Sequence, residues 1–67
     1  MNISDEQKDM LLLYVPEAKE SLTTDDVDDL LDKLDDRIIE IGFDKNWDLN
    51  SVGLKLQRLY DQIWVQN

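Results

Sequence analysis

The sequence predicts an all-α fold, a small three-helix bundle with a short extra helical turn, in one domain spanning residues 1–67. Three observations carry this. Apolar residues recur at spacings of three and four along the longer segments, as one face of a helix with about 3.6 residues per turn requires. Helix-starting side chains stand ahead of those segments. No stretch alternates apolar and polar residues as a half-buried strand does. Amphipathic stripes of this kind bury themselves against one another. A chain of 67 residues has room for one modest core, and its stability margin is correspondingly thin.

The first helix is expected over residues 4–14. Ser4 and Gln7 have the spacing of a capping box, and Asp5, Glu6 and Asp9 suit the positive end of the helix dipole. The run Met10, Leu11, Leu12, Leu13, Tyr14, Val15 is apolar most of the way round, and Leu12 or Leu13 is taken as its inward residue. Pro16 biases Val15 away from the α conformation, which stops the helix near Tyr14. Pro16 can also open a new turn, and a short helical piece is expected over residues 16–22.

Thr23 or Thr24 is read as the cap of the second long helix, over residues 24–41. Val27, Leu30, Leu31, Leu34, Ile38 and Ile41 form its stripe. Gly42 is expected to supply a left-handed terminating residue, with Phe43 folding back on the last turn. After a polar loop carrying Trp47, Leu49 and Asn50 open a third helix over residues 50–65. Its inner stripe is Val52, Leu56, Leu59, Tyr60 and Ile63, with Trp64 at the edge, and Gly53 weakens its first turn. The expected core is Leu12 or Leu13, Val27, Leu31, Leu34, Ile38, Val52, Leu56, Leu59 and Ile63.

Sixteen acidic against seven basic residues give a net charge of −9. This disfavours direct nucleic-acid binding and anionic membranes and favours basic partners. No apolar run approaches the roughly 18 residues of a membrane span, nor is there a signal-peptide layout, so the chain is read as cytoplasmic. With 42% hydrophobic residues the chain is expected to fold despite its charge. Histidine and cysteine are absent, and serine and threonine fall at caps and turns, so a non-enzymatic role without cofactors is expected.

The loop Asp44-Lys45-Asn46-Trp47-Asp48 places oxygen ligands at the first, third and fifth positions of a calcium loop. Leu49 then stands where glycine is needed and Lys55 where a bidentate glutamate is needed. The sequence therefore favours a turn in which Asp44, Asn46 and Asp48 make local hydrogen bonds, with no specific metal site.

The second long helix carries the most unusual feature. Asp28, Asp32, Asp35 and Asp36 lie opposite its apolar stripe, and residues 20–40 hold nine acids against Lys33 and Arg37. Such a face can simply be solvated; the functional reading is a surface that meets a basic protein. Ile39 projects among these acids, either as an apolar anchor within a charged ring or as a contact to the first helix. On the third helix Leu54 and Val65 align on the back. They are covered by the N-terminal segment, or they join Trp64, Tyr14 and Trp47 in a homo-oligomer or partner contact. The leading functional expectation is a protein-interaction module, inhibitory or regulatory, that binds a basic partner through residues 24–41. The alternative is an assembly protein that self-associates through Leu54, Val65 and Trp64.

Overall fold

A computed structural model describes residues 1–67. Four helices follow one another without a strand: α1 (Asp5–Tyr14), α2 (Ala18–Thr24), α3 (Val27–Ile41) and α4 (Ser51–Gln66). The Ser4 hydroxyl accepts from the Gln7 N–H (3.1 Å) and the Gln7 side chain accepts from the Ser4 N–H (2.9 Å), closing the capping box. At the other end the Val15 N–H donates to the Leu11 carbonyl at 2.6 Å, just ahead of Pro16. Within the apolar run the inward residue is Leu11, fully buried, and not Leu12 or Leu13, which are 38% and 72% exposed. Leu11 shares its face with Val15, one turn on, and Met10 and Tyr14 flank them as half-buried neighbours. A run that is apolar all round does not set its own rotation; packing does.

The extra turn is a helix of seven residues, with Ala18 and Ser21 buried. Thr23 and Thr24 do not cap α3, because their hydroxyls donate to the carbonyls of Lys19 (2.9 Å) and Glu20 (3.1 Å), four residues back within α2. Asp25, in the left-handed conformation (φ 57°), turns the chain. Asp26 is the α3 cap, its carboxylate accepting from the Asp29 N–H at 3.1 Å.

Gly42 ends α3 with right-handed angles (φ −88°), not left-handed ones. Glycine is needed there for closeness. A Cβ on Gly42 would meet the Ile38 carbonyl oxygen of the last turn at 2.5 Å and Gly53 Cα at 3.0 Å, and one on Gly53 would fall on the Gly42 carbonyl oxygen. Buried Gly53 is therefore a packing notch between α3 and α4. Asn50 fixes the same junction. Its backbone N–H donates to the Gly42 carbonyl and its side-chain amide to the Ile41 carbonyl, both at 2.8 Å, while its side-chain oxygen accepts from the Gly53 N–H at 2.8 Å. One side chain thus caps the start of α4 and satisfies the end of α3.

The core comprises Leu11, Val15, Ala18, Leu30, Leu31, Leu34, Ile38, Leu56, Leu59 and Ile63. Val27 and Val52, expected inside, are half-buried at its margin. The N-terminal segment lies along the end of α4. The Asn2 N–H donates to Asn67 Oδ1 (2.6 Å), and Gln7 Nε2 donates to the side chains of Gln62 and Gln66 (3.0 and 2.9 Å). It does not cover Leu54 or Val65, which are 46% and 82% exposed. No helix is long and apolar enough to cross a membrane.

Candidate functional site: the outer face of α3

Asp28, Asp32, Asp35 and Ile39 fall at successive spacings of four, three and four, so they form one stripe along α3, with Asp36 beside Asp32. All five are exposed. Ile39, 59% exposed, is an apolar side chain held in solvent and not a contact to α1. The helix is oriented by its opposite side, where Leu30, Leu34 and Ile38 are buried.

The two bases of α3 do not neutralise this stripe, because both are turned toward α2. Lys33 Nζ lies 2.9 Å from Asp29 Oδ2 and donates to the Ser21 hydroxyl (3.0 Å) and to the Glu17 carbonyl (3.3 Å). Arg37 pairs with Glu17 at 2.7 Å and with Glu40 at 3.5 Å. Ser21 is the buried hub of this side, and its hydroxyl donates to Asp29 at 2.5 Å. Asp29 is therefore held below the ordinary carboxylate range, first by the Ser21 hydroxyl and then by Lys33. Glu17 is held low by a backbone N–H of its own residue and then by Arg37. The Lys33 amine is raised, chiefly by its hydrogen bond to Asp29. The acids of α3 divide into two sets. Asp29 and Glu40 are tied to cations on the α2 side, whereas Asp28, Asp32, Asp35 and Asp36 enter no ion pair within 4.0 Å.

Trp64, grouped from the sequence with Leu54 and Val65, lies elsewhere. It borders a shallow depression of about 350 Å³ with Val27, Asp28, Leu31 and Asn67, between the start of α3 and the end of α4. Its indole thus lines the same depression as Asp28, the first aspartate of the acidic stripe. The sequence placed Trp64 only at the edge of its own helix, because the neighbouring helix end that it meets is a tertiary feature. Leu54 and Val65 share the outward side of α4.

In the loop, Asp44 Oδ1 accepts from the N–H groups of Asn46 (2.8 Å) and Asp48 (3.1 Å), an Asx-type turn. Trp47 adopts the left-handed conformation (φ 63°), with its ring 6.2 Å from that of Phe43. No three carboxylates are gathered as a metal site. Chemically, the α3 face offers fixed negative charge at one-turn spacing with one apolar side chain in line. The chain matches no family model, no curated protein and no solved structure.

Proposed function

We propose that this protein is an interaction module that binds a basic protein through the outer face of α3, and that it acts by occupying that partner's cationic surface. Asp28, Asp32, Asp35 and Asp36 supply the charge and Ile39 supplies an apolar anchor. The single observation that supports this is the division of charge on α3: its two cations are committed to Asp29, Glu40 and α2, which leaves four exposed aspartates without an ion pair beside an exposed isoleucine. A face built only for solubility would gain from one-turn pairs of opposite sign. Here the aspartates neighbour one another at one-turn spacing.

The test is affinity capture of basic proteins at low and high salt, with the Asp32→Lys/Asp36→Lys variant in parallel. The expected result is a partner held at low salt, released as salt shortens the range of exposed charge interactions, and lost with the variant while the helical circular-dichroism signal persists. A second variant, Ile39→Ser, weakens capture without altering its salt dependence. Equal capture by the parent and the charge-reversed chain overturns the reading.

A further inference from the structure

The outward face of α4 carries a pattern that complements itself. Leu54, Arg58, Asp61 and Val65 follow one another at spacings of four, three and four, the seam of a short two-helix packing. All four are exposed, Val65 almost fully and Leu54 by nearly half of its surface. When two such helices are laid antiparallel about a twofold axis midway between Arg58 and Asp61, Leu54 of each copy faces Val65 of the other. Arg58 of each copy then faces Asp61 of the other. One rotation thus pairs apolar with apolar at both ends and opposite charges at the centre, twice over, as an isologous contact requires.

The charge of the whole molecule selects the same helix. Two chains of net charge −9 repel, and the approach is least opposed where the acids are fewest. Across α4 the only ionisable side chains are Lys55, Arg58, Asp61 and Tyr60, so at neutral pH this helix is slightly cationic within an acidic protein. Arg58 forms no ion pair within its own chain, although Glu6 borders the same groove between α1 and α4. Asp61 accepts only a 3.2 Å hydrogen bond from Gln57. Both charges are free to be used by another molecule.

We infer that α4 is a homodimer face, on which a second copy of this chain docks antiparallel through Leu54–Val65 and Arg58–Asp61 pairs. The seam extends about 16 Å along the helix, shorter than the contacts that hold permanent dimers, so the dimer forms reversibly at high protein concentration. The contact leaves the α3 stripe open, and a dimer presents two copies of it, which strengthens binding to any partner with repeated cationic sites. The dimer is nevertheless independent of what α3 binds.

Sedimentation equilibrium from micromolar to near-millimolar protein tests this, with Arg58→Glu and Asp61→Lys made separately and mixed. The parent chain is expected to dimerise, and each variant to associate at least about tenfold more weakly, since each puts like charges opposite one another twice. In the equimolar mixture the introduced carboxylate at 58 faces the introduced amine at 61, and the retained Arg58 faces the retained Asp61, so association returns as a heterodimer. Asp61→Lys separates the register from net charge: it moves the chain from −9 to −7, which by general repulsion alone strengthens association. A parent that stays monomeric, an Asp61→Lys variant that dimerises more tightly, or a mixture that associates no better than its parts each overturns the inference. Circular dichroism of each variant confirms that the helices are intact.

Discussion

Gly42 and Gly53 set the distance between the two longest helices, and at Gly53 two physical effects of opposite sign compete. Replacing a glycine inside a helix with alanine gains up to about 1 kcal/mol of propensity. The added Cβ would fall on the Gly42 carbonyl oxygen, a backbone atom that can move only if α3 and α4 part. Overpacking of this kind costs about 1–3 kcal/mol, so Gly53→Ala is expected to be net destabilising. Its urea midpoint should fall with the slope unchanged, and a raised midpoint would show that the helices separate freely. The role of Asn50 as a cap was legible in the sequence, because a cap is satisfied within one turn of its own residue, and the same holds for Ser4 and Gln7. The notch was not legible, because it exists only where one helix end meets another. Leu11 was hidden for a related reason: with apolar residues at every position from Met10 to Val15, the inward one is chosen by what α1 packs against.

The α2–α3 pair is joined by more than apolar contact, and its polar latch has a definite response to pH. Asp29 and Glu17 have folded-state values below their ordinary 3.8 and 4.5, so the unfolded chain takes up these protons more readily. Their contribution is complete above those ordinary values and is lost as pH falls through the lower folded values. Lys33 is raised above 10.5, so its contribution is present below that pH and is lost as pH rises through the folded value. The latch is therefore unaffected by pH near neutrality and opens at the two extremes. At constant pH it can be opened through Ser21, whose buried hydroxyl bonds Asp29 and accepts from Lys33. Ser21→Ala is expected to cost about 1 kcal/mol and to speed amide exchange in α2 selectively, leaving α4 protected. It should also return the Asp29 carboxyl toward its ordinary titration range, measured by carbonyl NMR. Equal loss of protection in α2 and α4 would mean that the two helices open only by global unfolding. The sequence marked α2 as a helical turn but could not show that Lys33 and Arg37 face it. Both bases flank the apolar stripe of α3, Lys33 one turn after Leu30 and Arg37 one turn after Leu34, and only the position of α2 makes that flank an interface.

For the molecule as a whole, the charge asymmetry was legible in composition, and it implies that stability is sacrificed on α3. Four ion pairs oppose sixteen acidic side chains, so repulsion outweighs attraction and screening should stabilise the fold. Asp28–Asp32, Asp29–Asp32, Asp32–Asp35, Asp32–Asp36 and Asp36–Glu40 are all one-turn neighbours of like sign on α3. At a few tenths of a kcal/mol each they cost on the order of 1 kcal/mol at low salt. In a domain of this size that corresponds to about 5 °C in melting temperature. The melting temperature at micromolar protein, where the proposed α4 dimer would be dissociated, should therefore rise by roughly that amount between about 0.02 and about 0.5 M sodium chloride. A fall would mean that the Lys33 and Arg37 pairs dominate. Asp32 takes part in four of those five repulsions, so Asp32→Asn is expected to raise the melting temperature at low salt and to flatten its salt dependence. If the outer face of α3 is a binding surface, the same substitution weakens capture of the basic partner. Stability and binding then move in opposite directions at one exposed residue, as expected where a surface serves binding at the expense of the fold. A face that is acidic only for solubility would show the stability gain with no loss of binding.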